Sequence, residues 1–178
     1  MQIFFISDTH FSHTNIIKYC NRPFKTVQEM DLVMIRKWNE RVKKGDTVFH
    51  LGDFCFSRST EAPEAFKGDI FNYFKQQLNG ELIAIRGNHD NHNKCKSIIE
   101  NMTIYYGGKR IFMTHNPKYA REDMLNFVGH VHEKWKIKRI GKTGIMVNLS
   151  VEINDYKPIT INEIFSKIEQ WKKNEKMY

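Results

Sequence analysis

The sequence predicts an α/β fold, because short apolar segments of strand length alternate along the chain with amphipathic segments of helix length. The chain has 178 residues, of which 40% are hydrophobic and 27% charged, a mixture typical of globular proteins. This length suits one compact domain, and no long linker divides it. We therefore expect a single domain over residues 1–178.

The first half of the chain contains three short apolar runs that predict strands, at residues 2–6, 47–51 and 81–85. Thr26 followed by Glu29 forms a capping box and predicts the start of a helix of about 17 residues. The segment between the first strand and this helix is predicted to be a long loop. Apolar residues at helical spacing predict a second helix over about residues 61–78.

The second half begins with a predicted short helix at about residues 93–100. It continues with apolar segments at residues 102–106, 110–114, 124–128 and 144–150. The last element is a basic amphipathic helix over residues 162–176. Lysines 134, 136 and 138 alternate with apolar residues, a pattern typical of a strand with one solvated face.

The composition restricts the location and the partners. A net charge of +8 favours anionic partners such as phosphorylated small molecules or nucleic acid. No apolar run approaches the roughly 20 residues needed to span a bilayer, so we expect no membrane partner. The N-terminus does not have the pattern of a signal peptide, which predicts a cytoplasmic location. Three cysteines without CxxC spacing predict neither disulfides nor a thiolate zinc site, and nothing in the sequence indicates the oligomeric state.

Five polar motifs each follow a predicted strand: Asp8-Thr-His10, Gly52-Asp53, Gly87-Asn88-His89-Asp90, His115 and Gly129-His130-Val-His132. Because open α/β sheets bind ligands at the carboxyl ends of their strands, we expect these motifs to meet at one edge. Alternate residues of an extended chain point to the same side, which predicts that Asp8 and His10 face one cluster, as do His130 and His132.

The side chains of these motifs predict a metal site. Two aspartates, one asparagine and four histidines exceed the ligand number of a single four-coordinate ion. Mixed imidazole and carboxylate ligands suit Mn, Fe, Zn, Co or Ni. One carboxylate can bridge two ions, as in two-metal phosphatases and nucleases. The sequence therefore predicts two adjacent divalent metal ions.

The five motifs, in this order from residue 8 to residue 132, resemble those of the calcineurin-like metallophosphoesterase family. The length is similar to that of its small single-domain bacterial and phage members. The resemblance implies a four-layer α/β/β/α sandwich, in which two mixed sheets pack face to face and are flanked by helices. It also implies a dinuclear metal site at one edge of the sandwich.

The resemblance further implies a role for each motif residue. It implies four ligands for the first metal: Asp8, His10, Asp53 and His132. It implies four ligands for the second metal: Asp53, Asn88, His115 and His130. Asp53 would bridge the two ions. His89 would stabilise or protonate the leaving oxygen and would be oriented by Asp90.

The activity implied is hydrolysis of a phosphoester by a metal-bridging hydroxide that attacks phosphorus in line with the leaving oxygen. A phosphodiesterase is the leading hypothesis, with manganese favoured for activity. The alternatives are a nuclease acting on DNA or RNA and a catalytically silent metal-binding scaffold for protein interactions. His13, Arg22 and Arg86 are candidate substrate contacts, although each is also compatible with a structural role. His50, inside a predicted strand, is expected to be a buried structural histidine.

Overall fold

The computed structural model describes residues 1–57, 68–90 and 97–175, and within them the strands form two sheets. The first sheet contains β1 (Ile3–Ile6), β2 (Thr47–His50), β3 (Glu81–Ala84) and β9 (Ile159–Thr160). The second contains β4 (Asn101–Tyr106), β5 (Lys109–Thr114), β6 (Leu125–Val128), β7 (Ile137–Ile140) and β8 (Gly144–Asn148).

Both sheets are mixed. The order of the first sheet is β3-β2-β1-β9, with β1, β2 and β3 parallel and β9 antiparallel to β1. The order of the second is β4-β5-β6-β8-β7, with three parallel central strands between two antiparallel edge strands. Parallel strands covered on both faces are nearly continuously apolar, which explains the runs seen in the sequence.

Four α-helices accompany the sheets in the described residues. They are α1 (Thr14–Tyr19), α2 (Val27–Arg41), α3 (Ile70–Lys75) and α4 (Ile161–Glu175). The predicted cap of α2 is present, because the Thr26 hydroxyl accepts a 3.1 Å hydrogen bond from the Glu29 backbone N–H. The Glu29 carboxylate accepts from the backbone N–H of Lys25, one residue before the cap.

The core has two parts, separated by the first sheet. Phe4 and Ile6 of β1 lie in a cluster with the buried residues of α2, including Trp38. Phe5 points to the opposite face, where it stacks on Phe49 of β2 at 5.4 Å and meets Phe127 of β6 edge-on at 5.0 Å. The two sheets therefore pack face to face and are flanked by helices, which confirms the predicted fold class.

Four elements differ from the prediction. Helix α1 lies in the segment predicted to be a loop. The sequence did not reveal it, because its six residues bury one side chain, Ile16, and are too few to show a helical period. Helix α3 is shorter than the predicted helix at 61–78. Gly68 has a φ of +89°, and the Asp69 side chain caps the first turn of α3 by accepting from the Asn72 N–H. Residues 61–67 of that prediction lie outside the described residues.

The predicted helix at about residues 93–100 is also wrong where it can be checked. Residues 97–100 are not helical, and Ile99 forms a parallel bridge with Ile85; the rest of that segment, up to residue 96, is not described. Strand β9 has only two residues, which is below the length at which alternation can be recognised. Lysines 134, 136 and 138 are exposed and their apolar neighbours are half-buried, as the alternating pattern predicted.

In the described part of the chain, no helix combines the length and the apolar composition that crossing a bilayer requires.

Candidate metal centre

The side chains of the five motifs come together where β1, β2, β3, β5 and β6 end. Metal-competent atoms of Asp8, His10 and His132 all lie within 4.8 Å of one another. The same is true of Asp8, Asp53 and His115. Asp8 therefore belongs to both groups, and the two groups are adjacent.

Asp53 lies between two of the imidazoles. Its Oδ2 atom is 3.3 Å from His115 Nε2 and 3.6 Å from His10 Nε2, and its other oxygen accepts a 2.9 Å hydrogen bond from the His89 backbone N–H. Burial alone raises the pKa of a carboxyl group, but the hydrogen bond and charge of His115 hold the pKa of Asp53 well below its ordinary value. Asp53 is therefore an ionised carboxylate in contact with two rings.

Asn88 joins His115 to His130. The Asn88 Oδ1 atom is 2.9 Å from His115 Nε2 and 2.8 Å from His130 Nδ1. The ring of His115 is fixed from its other side by Leu51, whose carbonyl oxygen is 2.8 Å from Nδ1. A ring nitrogen held by a backbone carbonyl is the usual support of a metal-binding imidazole. These three side chains form a second set of converging donors beside Asp53.

Glu152 is a site residue that the sequence analysis missed. Its Oε1 atom lies 2.9 Å from His132 Nδ1, so His132 Nε2 faces Asp8 Oδ1 at 3.9 Å. Cys20 also contacts His132, and the ligand atoms of Cys20, His132 and Glu152 lie within 4.8 Å of one another. Glu152 follows β8 in a short 3₁₀ turn and carries no local motif, so the sequence offered no signal for it.

The backbone of the motifs is not extended, which corrects the argument from alternate residues. Asp8, His10, Asp53, His130 and His132 all have left-handed φ values between +47° and +71°. Such conformations cost on the order of 1 kcal/mol or more each in residues other than glycine and persist only where the surroundings hold them. The motif side chains therefore meet because the loops coil, and the surrounding hydrogen bonds must stabilise that coil.

Arg22 supplies part of this support, which is the structural role that the sequence left open beside a substrate contact. The guanidinium is buried and donates to the Asp8 carbonyl at 2.7 Å and the Thr9 carbonyl at 2.9 Å. It also binds Glu152 through Nε and Nη2 at 3.0 and 2.7 Å. All three of its nitrogen atoms have partners within the protein, so Arg22 holds the first loop rather than a substrate phosphate.

Asp90 supports the second loop in a comparable way. Its carboxylate accepts hydrogen bonds from the backbone N–H groups of Gly87 (2.7 Å), Asp53 (2.9 Å) and Phe54 (3.0 Å). The predicted orientation of His89 by Asp90 stays a prediction. The contacts described for Asp90 position the loop that carries Asp53.

His89 and His13 lie at the open side of the cluster. The His89 side chain is exposed, and its ring meets that of His10 edge-on at 5.7 Å. His13 is buried, stacks on Phe56 at 4.2 Å, and has its Nδ1 atom 3.3 Å from His10 Nδ1. This contact makes His13 a partner of His10, whereas its contact with substrate stays a prediction.

Arg86 is half-buried and forms an ion pair with Glu100. It remains beside the cluster, because it lines a recess shared with Asn88 and His115. His50 is a buried structural histidine, as expected: its Nδ1 accepts from the Gly52 N–H at 3.2 Å and its Nε2 is 2.9 Å from the Thr9 hydroxyl.

The donor set fits divalent metal ions. The buried Nε2 atom of His10 has no hydrogen-bond partner, although it lies 3.6 Å from Asp53. Burial holds the pKa of His10 well below its ordinary value, so the ring is neutral and one of its nitrogen atoms can act as a ligand. Burial also lowers the pKa of His115, but the hydrogen bond that its ring donates to Asp53 and the charges of Asp8 and Asp53 outweigh it and raise the pKa to about 9. The carboxylates thus attract positive charge, which protons on the imidazoles or bound cations can supply.

Comparison with known proteins shows the family to which this chain belongs. The family model described as the calcineurin-like phosphoesterase superfamily domain matches residues 1–150. The chain belongs to this superfamily. It is 37% identical over 178 residues to the uncharacterized protein MJ1445 of Methanocaldococcus jannaschii, covering 96% of this chain and 93% of the relative.

A solved structure is also similar. The protein AQ665 of Aquifex aeolicus, of unknown function, superposes with a TM-score of 0.67 and 28% identity, covering 93% of this chain and 98% of that one. Membership of the superfamily supports hydrolysis of phosphoesters with divalent metals in general terms. Residues 151–175 lie beyond the family model, yet they supply β9, α4 and Glu152.

We expect Gly87→Ala to dismantle the cluster. A Cβ atom at Gly87 would overlap the carboxylate and the backbone nitrogen of Asp53, both of which are held in place. Overpacking of this kind costs about 1–3 kcal/mol. The variant should bind Mn²⁺ at least about tenfold more weakly in calorimetric titration. Gly45→Ala is the matched control, because a Cβ there meets nothing within 4 Å. Equal Mn²⁺ affinity in both variants would contradict the assignment of Asp53.

We expect Glu152→Gln to weaken metal binding by about tenfold to hundredfold, the usual effect of removing a partner that orients a ligand. The change leaves the shape of the side chain but removes the charge that faces His132 and Arg22. Glu133→Gln is the control, since Glu133 is exposed and adjoins His132 in sequence. Titration of both folded variants with Mn²⁺ tests this, and unchanged affinity in Glu152→Gln would rule out the positioning role.

Proposed function

We propose that this protein is a dinuclear-metal-dependent phosphodiesterase. The observation that carries the proposal is the pair of carboxylates, Asp8 and Asp53, which lie with His115 within 4.8 Å of one another. Two buried negative charges so close together are favourable only with positive charge between or beside them. Divalent ions supply that charge, and the surrounding imidazoles supply the other ligands.

In this proposal the two metals share Asp53. The first would be held by Asp8, His10, Asp53 and His132, and the second by Asp53, Asn88, His115 and His130. Mixed nitrogen and oxygen ligands suit Mn, Fe, Zn, Co or Ni, and manganese is the ion we favour for activity. When bound, such ions lower the pKa of coordinated water and neutralise charge on a phosphoester.

The protein's own residues would perform the remaining tasks. His89, exposed beside His10, would give a proton to the leaving oxygen. Its backbone N–H binds Asp53, which couples the position of His89 to that of the bridging carboxylate. Arg22 and Asp90 would keep the two loops in their left-handed conformations during turnover.

The position of Arg22 favours diesters over monoesters. A monoester dianion carries one more charged oxygen than a diester and requires a further cationic partner. Arg22 is buried with all its nitrogen atoms engaged, and Arg86 is paired with Glu100. Neither of the two arginines that the sequence named as candidate substrate contacts is therefore free for that third oxygen.

Metal removal tests the proposal. Protein dialysed against excess chelator should lose hydrolysis of bis(4-nitrophenyl) phosphate and regain it with Mn²⁺. Asp53→Ala should fall to the background rate even with Mn²⁺, because both ions lose a ligand. Asp123→Ala, at an exposed position, is the control and should retain the rate. Full activity of the chelated protein would contradict the proposal, whereas bound metal without turnover would support the scaffold.

His89→Ala should retain its metals but lose about 10²–10⁴ in kcat on a diester with an alkoxide leaving group, the scale for loss of a general acid. The loss should be much smaller with 4-nitrophenolate, which leaves without protonation. Steady-state rates on the two kinds of ester and metal analysis of the variant measure this. Equal losses on both esters would exclude the acid role.

A further inference from the structure

A recess of about 550 Å³ adjoins the cluster on the side of Asn88 and His115. Its volume falls within the range of pockets that hold small organic ligands. The walls come from the residues after β3, from β5 and from the segment 116–121 that follows His115. A ligand in this recess would therefore touch His115, which faces Asp53, and Asn88, whose side-chain oxygen contacts His115.

Hydrogen bonds to the side chains of Asn116 and Asn126 hold the backbone of the segment 116–121. The Asn116 side chain accepts from the Lys118 N–H at 3.0 Å. Buried Asn126, on β6, accepts from the Arg121 N–H at 2.7 Å and donates to the Arg121 carbonyl at 2.8 Å. The side chains of this segment are thus presented to the recess by a fixed backbone, which lowers the cost of binding.

The recess combines cations with aromatic rings. Lys118 lies 4.7 Å from the centre of the Tyr119 ring, and the Arg121 guanidinium lies 5.5 Å from that of Phe112. Three basic residues and one acidic residue line the recess, and the acidic one, Glu100, is paired with Arg86. Tyr119 is 60% exposed despite its size. The recess therefore offers an exposed aromatic ring with Lys118 against it and Arg121 in the same lining.

We propose that this recess binds the nucleoside part of a nucleotide diester that carries a second phosphate. The base would stack on Tyr119, and the second phosphate would bind Lys118 and Arg121. The scissile phosphate would then lie at Asn88 and His115. This assignment rests on the proposed phosphodiesterase activity and names the substrate class of that same site.

Matched chromogenic esters test the proposal on the Mn²⁺-loaded protein. The 4-nitrophenyl ester of thymidine 5′-phosphate is compared with the same ester carrying a 3′-phosphate. We expect the 3′-phosphate to raise kcat/KM about tenfold, mainly through KM, as charge-assisted hydrogen bonds do. No preference for the 3′-phosphate would overturn the proposal.

Two pairs of variants locate the effect. The double variant Lys118→Ala/Arg121→Ala should lose the preference for the 3′-phosphate. The control Lys109→Ala/Arg110→Ala removes the same charges from exposed positions outside the recess and should keep it. Tyr119→Ala should raise KM for both thymidine esters, whereas Tyr105→Ala, which is 76% exposed on β4, should not. Retention of the preference by the Lys118/Arg121 variant would contradict the proposal.

Calorimetry with thymidine 3′,5′-bisphosphate separates this proposal from the proposed activity. Wild type and the Lys109/Arg110 control should bind the bisphosphate with equal affinity, and the Lys118/Arg121 variant should bind it about tenfold more weakly. If the bisphosphate binds in this way but no ester is hydrolysed, the proposed activity is overturned and the proposed binding site is retained. Equal affinity in all three proteins would overturn the binding site, whatever the hydrolysis assays show.

Discussion

The close approach of Asp8 and Asp53 is the constraint on which the rest of the site depends. Two carboxylates that share His115 within 4.8 Å cannot both be buried and ionised unless positive charge accompanies them. The imidazoles meet that requirement in part, as the raised pKa of His115 shows, and they are also good ligands for divalent metals. The same electrostatic requirement therefore explains the composition of the site and the chemistry we propose for it.

Holding the two carboxylates together requires unfavourable backbone conformations, and hydrogen bonds from elsewhere in the fold stabilise them. Asp8 and Asp53 both have left-handed φ values, which isolated residues of this type rarely adopt. Arg22 binds the carbonyl of Asp8, and Asp90 binds the N–H of Asp53, so each strained loop has one buried charged side chain bonded to its backbone. Glu152 in turn pairs with Arg22, which links the site to the residues that follow β8. We infer that the support around the ligands is as specific as the ligands themselves.

Much of this arrangement could be predicted from the sequence, and the failures have physical causes. Short apolar runs and the polar motifs that follow them are local patterns, so they were enough to predict that polar side chains converge at one sheet edge. The role of Arg22 could not be decided from the sequence, because a buried arginine and a substrate-binding arginine look alike there. Glu152 reaches His132 across 20 positions without a motif, and Asp90 bonds to backbone groups that no pattern reveals. Contacts that depend on loop geometry are thus the part that required the structure.

Anomalous diffraction at the manganese edge, from crystals grown with Mn²⁺, would show directly whether two metals bind at Asp53. We expect two anomalous peaks next to the carboxylate of Asp53, one beside Asp8 and one beside Asn88. A single peak would contradict the dinuclear site. A peak at Cys20, His132 and Glu152, with none at Asp53, would show that the metal binds elsewhere and that the shared carboxylate is not its ligand.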